Sequence, residues 1–219
     1  MHLSIDLWNT LLTPNQTFTQ KFNEYFAGLF GVSVDVVERA YAHTNNIIKS
    51  DTIQSHIAIS PYDSFECLCG RIMYIVHDRF HHGQDIEKII SDINALFIEH
   101  PPIIDESTIA ALYFGRHNWS ISCNTTFISG KIIRQTLKDN YGMLTDSGDI
   151  FSDEVGVSKP NLAFFALTSA KNNACIDQII HISNDIDNDI VPGCKFGYCV
   201  KYCPSPDKLG DILASFEDL

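Results

Sequence analysis

The sequence predicts an α/β protein: a parallel sheet whose first strand is followed by an all-helical insertion. Three observations lead there. Short runs rich in Ile, Val or aromatics recur, and each of the first three ends in polar residues, as buried parallel strands do at their carboxyl ends. Residues from about 13 to 100 carry a 3.6-residue apolar period throughout. Pro101-Pro102 then closes that block, because consecutive prolines stop a helix. The 219 residues are 45% hydrophobic and 19% charged. That balance suits a buried core with an insertion and excludes a disordered, collagen-like or coiled-coil chain.

Taken in order, Leu3-Ser4-Ile5 is the first strand, ending at Asp6. Amphipathic stretches follow at Phe18 to Phe30, Val34 to Ile48, Phe65 to Phe80 and Asp85 to Phe97. Polar linkers separate them, among them Ser50-Asp51-Thr52 and His81-His82-Gly83. The helix over Ser107 to Gly115 leads into a second strand, Trp119 to Cys123, ending at Asn124-Thr125. Gly130 to Asn140 is helical, with Ile132, Ile133 and Leu137 on one face. Leu162 to Lys171 is a further helix, with Pro160 just before its start. Gln178 to Ile182 is the third strand, ending at Ser183-Asn184-Asp185. Tyr198-Cys199-Val200 is a fourth, and Lys208 to Phe216 closes the chain as a helix. The α/β core therefore spans 1–12 and 101–219, and the helical domain 13–100.

The formal net charge is -12. Such a surface repels nucleic acid and anionic membranes, so neither is an expected partner. A small anionic substrate needs a local cation to receive it. No run of about 18 apolar residues suggests a membrane span. The first six residues lack a basic leader, so no signal peptide is expected. The seven cysteines are odd in number and lack paired zinc spacing, which points to reduced thiols in a cytoplasmic protein.

Four stations carry chemistry. Asp6 ends the first strand, where a carboxylate can act as nucleophile or metal ligand. Cys123-Asn124-Thr125 offers small polar groups and backbone N–H donors for an oxyanion. Lys159 can neutralise a nucleophilic carboxylate and the charge that develops during reaction. The loop at 183–189 holds three acids in five residues, a pattern of solvated turns and of divalent-metal sites.

With these residues assembled, the chain resembles the haloacid dehalogenase-like hydrolase superfamily. Asp6-Leu7-Trp8-Asn9-Thr10 resembles its nucleophile motif, and Cys123-Asn124 its second motif. Asp153 to Asn161 resembles the stretch around its lysine, Lys159. Asn188-Asp189, with Gly197 beyond, resembles its fourth motif. The resemblance implies a Rossmann-like parallel sheet with a helical cap inserted after the first motif. It implies Asp6 as nucleophile, Lys159 as its partner, and Thr10, Cys123 and Asn124 as phosphate or substrate contacts. It also implies Mg²⁺ held by Asp6, the main-chain carbonyl of Trp8, and Asn184, Asp185 or Asp189. The expected activity is then a Mg²⁺-dependent hydrolase acting on a small phosphorylated metabolite.

Three positions depart from the pattern. Trp8 stands where family phosphatases carry an acid/base Asp, a group whose help is worth typically about 10²–10⁴-fold. The family's dehalogenating members also lack that Asp, because halide leaves without needing a proton. Cys123 replaces the usual Ser or Thr with a weaker donor. Asn184 is neutral if it occupies the metal-ligand position, the alternative being Asp185. A 2-haloacid dehalogenase and a binding module with weakened turnover thus stand beside the phosphatase reading. In the helical block, Arg39, Arg71 and Arg79 could receive a substrate carboxylate or halide. Phe18, Phe22, Phe26 and Phe30 form a core stripe. His77, His81 and His82 read as a solvated helix end, and Lys131 and Arg134 as solvated cations.

Overall fold

The computed structural model describes residues 1–76, 84–143 and 148–216. Strand β1 (His2–Ile5) opens the chain. Four helices follow: α1 (Gln16–Phe30), α2 (Val34–Ser55), α3 (Pro61–Ile75) and α4 (Ile86–Glu99). Helix α5 (Glu106–Phe114), β2 (Asn118–Cys123) and α6 (Gly130–Tyr141) return the chain to the sheet. Then come β3 (Ile150–Phe151), the single turn α7 (Ser152–Val155), α8 (Leu162–Lys171) and β4 (Ile179–Ser183). Helix α9 (Val191–Phe196), β5 (Cys199–Tyr202) and α10 (Leu209–Ala214) complete it. The five strands form one parallel sheet in the order β3-β2-β1-β4-β5. Among the described residues no helix is long and apolar enough to cross a membrane.

The α/β reading holds, with local corrections. β3 is a strand absent from the sequence reading: two residues are too few to express a period, yet both are buried and pair with Ser122 and Cys123. Helix α2 does not stop near Ile48. Its buried stripe Val37, Ala40, Thr44, Ile48, Thr52 continues at helical spacing through the expected linker. The helix ends at His56, whose φ of 60° breaks the ladder. Helix α3 starts at Pro61 rather than Phe65, because Ser60 caps it by accepting from Asp63 N at 3.1 Å. Its expected end at Phe80, with Arg79, His77 and the linker His81-His82-Gly83, lies outside the described residues.

The aromatic stripe of α1 packs as core, with Phe22, Phe26 and Phe30 buried. Phe127, from the loop after β2, inserts among the helices. Its ring lies 5.0 Å from Phe65, 5.2 Å from Tyr41 and 6.0 Å from Phe22. This joins the helical block to the sheet by aromatic contacts. Arg134 is not a solvated cation: it forks onto Glu154 with two 3.0 Å bonds and lies over the Phe151 ring.

Strand alternation has a second consequence. His2, Ser4 and Asp6 share one face of the central strand, and all three are buried. Ser4 lies opposite Ser120 on β2 and His181 on β4. Polar groups can stay there because they satisfy one another. His2 Nε2 is 2.9 Å from Ser120 Oγ. Ser4 Oγ is 2.8 Å from Ser122 Oγ and 2.9 Å from His181 Nδ1. A polar row thus runs under the sheet toward the carboxyl ends of the strands.

Gly130 starts α6 against β3. A Cβ there would overlap the Phe151 ring, and its N–H donates to Asp153 at 3.1 Å. Gly130→Ala is expected to lower stability by about 1–3 kcal/mol through overpacking, measured as a shifted urea midpoint with unchanged slope.

Candidate active site

Asp6 leaves β1 while its N–H still bonds Ile182 O at 2.9 Å, so the carboxylate is fixed by the sheet ladder. Lys159 reaches it from the loop after α7. The Lys159 main chain is gripped at both ends by one side chain: Asn124 Oδ1 accepts its N–H at 2.9 Å, and Asn124 Nδ2 donates to its carbonyl at 2.8 Å. The lysine is 1% exposed. Its ammonium has three N–H and three acceptors: Asp6 Oδ1 at 2.7 Å, Ser122 O at 2.8 Å and Asp189 Oδ1 at 2.6 Å. Asp189 Oδ1 also takes His181 Nε2 at 2.6 Å, which joins the polar row to the charged cluster. Thr10 Oγ1 lies 3.2 Å from Asp6 Oδ2 and 3.2 Å from Asn184 Oδ1, and it accepts from Asn184 N at 3.1 Å.

The charges divide unevenly. Burial pushes the Asp6 carboxyl above its ordinary value, with Lys159 opposing and Asp189 adding to the rise. Burial also works against Asp189, but Lys159 and His181 outweigh it and hold that carboxyl below the ordinary range. Burial alone would lower the Lys159 ammonium, yet Asp189 and Asp6 together keep it above its usual value. The ammonium is therefore retained. Asp189 is its firmer partner, and Asp6 is left the more basic of the two carboxylates.

The sequence matches no family model and no curated protein. Its structure does have solved counterparts. The Bacillus subtilis protein YfnB, described as a HAD-hydrolase and bound to magnesium, superposes with a TM-score of 0.72 at 15% identity, covering 97% of this chain and 98% of that one. L-2-haloacid dehalogenase from Xanthobacter autotrophicus, with chloropropionic acid covalently bound, gives 0.65 at 11% identity over 98% of each chain. A HAD phosphatase from Thermococcus onnurineus gives 0.60 at 14% identity over 99% of each. The chain has the haloacid dehalogenase-like hydrolase fold.

Within that HAD-like fold, Asp6, Lys159, Thr10, Asn184 and Asp189 meet in one cluster. Two expected substrate contacts are otherwise engaged. The Asn124 side chain holds Lys159, and the Cys123 thiol donates to the main-chain oxygen of Asn124 at 3.3 Å. Burial, then the charge of Asp6, pushes that thiol well above its ordinary value, so it stays neutral. Asp185 is engaged by other partners. It caps the turn that follows by accepting from Asp187 N and Asn188 N, and it pairs with Lys49 at 3.1 Å. Because β4 ends at Ser183, Asn184 is the residue beside Thr10 and Asp6. His181, Ser122 and Lys49 were not singled out in the sequence. A histidine inside an apolar run and a lysine on a long helix carry no pattern there.

Mg²⁺ needs hard oxygen donors, usually with one or two carboxylates. Asp189 is locked by Lys159 and His181, Asp185 is engaged by Lys49 and the turn that follows it, and Asn184 is neutral. Asp6, the Trp8 carbonyl and Asn184 Oδ1 remain, and the charge of Asp6 is already met by Lys159. Among the described residues no group of three or more His, Cys, Asp or Glu could hold a metal ion. This donor set fits a tightly held Mg²⁺ poorly.

Two cavities are lined in part by chain neighbours of the cluster, Trp8 and Asn9 in one and Asn124, Ser158 and Asn188 in the other. One, of about 220 Å³, is lined by Trp8, Phe18, Phe22, Tyr41, Phe97 and Phe127 with a few polar groups. The other, of about 160 Å³, lies between α2 and the loops after β2, β3 and β4, with Ile48 and Ile59 among polar residues in its lining. Of the described arginines in the helical block, Arg39 pairs with Asp35 and Arg71 lies against Tyr74, and neither lines these cavities.

Lys159→Met would leave two buried carboxylates facing each other without their cation. A loss of about 3–5 kcal/mol at neutral pH is expected. Without the ammonium both folded-state pKa values rise, and such groups favour the fold only below their unfolded values. The deficit relative to wild type should therefore be larger at pH 8 than at pH 5 in chemical denaturation.

Proposed function

We propose that the protein is a covalent hydrolase in which Asp6 displaces a leaving group that departs without side-chain protonation, with small 2-haloacids as the substrate class. The observation that carries this reading is the division of the Asp6 carboxylate. Lys159 holds Oδ1 at 2.7 Å, while Oδ2 meets Thr10 at 3.2 Å. Oδ2 is then the attacking atom. It forms a bond to the carbon bearing the halogen, the carbon–halogen bond breaks, and halide leaves with the electron pair. The product of this step is an ester of Asp6. Its carbonyl oxygen is Oδ1, still held by the buried ammonium, so the carbonyl is polarised toward water and its oxyanion is stabilised as it forms. Water adds at that carbonyl carbon, and the acyl–oxygen bond breaks. One water proton goes to the departing alkoxide, the other to solvent, and a 2-hydroxy acid leaves.

Trp8 supports this reading, because it cannot transfer a proton and halide requires none. Its ring lies 6.2 Å from Phe97 and lines the aromatic cavity, which suits an alkyl substituent. Residues 13–100 act as a cap that keeps bulk water from the site while Asp6 attacks. A second reading, the Mg²⁺-dependent hydrolase of small phosphorylated metabolites, draws on Asn184 Oδ1 beside Thr10 and on the magnesium carried by YfnB.

Single turnover in ¹⁸O-water tests the covalent step. The first product should carry unlabelled oxygen, and the peptide containing Asp6 should gain the label. Asp6→Asn should release no halide. A screen of phosphate esters with Mg²⁺ that gives turnover, while 2-haloacids give none, would transfer the assignment to the second reading. The nucleophile must be ionised and its pKa is raised by burial. The acid limb of kcat/KM should therefore fall at a pH above the ordinary carboxylate range.

A further inference from the structure

Two of the three acceptors around the Lys159 ammonium are fixed by the sheet. Ser122 O belongs to β2, and the Asp6 N–H is tied to Ile182 O on β4. The third, Asp189, stands on the turn Ile186–Ile190, outside every strand. Its carboxylate is two side-chain torsions removed from that turn, and a side-chain partner must set them. His181 is that partner. It lies on β4, is wholly buried, and meets Asp189 Oδ1 through Nε2 at 2.6 Å. An ionised carboxylate only accepts, so Nε2 carries a proton. The other ring nitrogen meets Ser4 Oγ at 2.9 Å, and Ser4 Oγ meets Ser122 Oγ at 2.8 Å. The Phe165 ring stands edge-to-face against the imidazole, 5.7 Å between centroids at 86°. With both nitrogens bonded and an aromatic wall beside it, the imidazole has one orientation, anchored in β1 and β4. Lys159 Nζ and His181 Nε2 also share the same oxygen, Asp189 Oδ1. Where the imidazole holds that oxygen, the ammonium must follow.

We infer that His181 is a positioning residue: it holds the Asp189 carboxylate, and through it the Lys159 ammonium, in line with Asp6 Oδ1. Its consequence for catalysis rests on the proposed reaction, in which Oδ1 becomes the carbonyl oxygen of the ester, whereas the placement of the ammonium depends on no substrate. His181 lines neither cavity and reaches Asp6 only through Asp189 and Lys159. Its loss therefore acts on the stabilisation of the oxyanion and not on the binding of substrate. Such a residue lowers kcat and kcat/KM together and leaves KM alone. A ring kept only to fill the space beside Phe165 would need no donor toward Asp189, so an apolar side chain of similar size would replace it. The hydrogen bond is what distinguishes the two roles.

His181→Leu and His181→Gln make the comparison in the full chain, since the two side chains are similar in size and only Gln can donate to Asp189. With 2-chloropropionate, His181→Leu should lose about ten- to hundredfold in kcat at unchanged KM, the scale of a hydrogen bond to a charged group, and His181→Gln should recover most of it. Ser4→Ala, which frees the other ring nitrogen and removes little volume, should lose kcat on the order of a few-fold. The ammonium supplies a readout without turnover. Lys159 is the one buried lysine among the described residues, so its exchange-protected N–H signal can be followed by ¹H–¹⁵N correlation. That signal should shift and exchange faster in His181→Leu and in Ser4→Ala, and return toward wild type in His181→Gln. Should His181→Leu fail to fold, Ser4→Ala carries both readouts. An ammonium signal unmoved by these substitutions overturns the inference, as does a wild-type Lys159 that exchanges like a surface lysine. Equal kcat losses in His181→Leu and His181→Gln, or a loss confined to KM, also overturn it. A signal that depends on His181, with no halide released from any 2-haloacid, keeps the positioning role and removes the reaction. Halide release with unchanged kcat in His181→Leu keeps the reaction and removes the positioning role.

Discussion

A single buried ammonium organises this molecule. Lys159 gives its three N–H to acceptors at the carboxyl ends of three adjacent elements: Asp6 after β1, Ser122 on β2 and Asp189 beyond β4. Only a sheet with β2, β1 and β4 side by side brings those three together. A charge so deeply enclosed is tolerated when every donor is matched, and it destabilises the fold when one is not. The grip of Asn124 on the Lys159 main chain has the same purpose, since it delivers the lysine at a fixed depth.

The polar row beneath the sheet extends this constraint inward. Asp189 could accept Lys159 alone, but His181 shares the same oxygen and is itself held by Ser4, which meets Ser122. Asp6 is therefore backed by a chain of hydrogen bonds that crosses β1, β2 and β4. Stability is given up along that row, where apolar side chains would pack more cheaply, and rigidity at the Asp6 carboxylate is what is gained. Asp6 is left as the less tightly matched anion, which is the condition a nucleophile needs.

Much of this was legible beforehand, for reasons that differ by residue. β1, β2 and β4 stand out because each is a short run bearing Ile, Leu, Trp or Cys that ends in chemistry, even though one face of the sheet carries the polar row. Asp6 and Lys159 are legible through the order and spacing of their motifs. The helical insertion is legible as a period. β3 is not, since two residues hold no periodicity, and its partner is 28 positions away, Ser122 to Ile150 or Cys123 to Phe151. The extension of α2 escapes because Ser50, Asp51 and Thr52 are poor helix formers whose placement tertiary burial overrides. The engagement of Asn124, Cys123 and Asp185 escapes for another reason. Each is a residue type able to bind substrate or metal, and only coordinates reveal that neighbouring backbone has claimed its polar atoms first.

The turn after β4 is wider than an α-helical one. Residues Ile186–Ile190 form a π-helical turn in which Ile190 N reaches back five residues to Asp185 O at 3.1 Å. That extra residue lets Asp185 close the turn on the outside while Asp189 comes round to the inside. Successive residues of an α-helix advance by roughly 100°, so removing any one of the three between them would swing the inner carboxylate away from the ammonium. Loop length here works as an angular gauge, which makes the count between the two acids as consequential as the acids themselves.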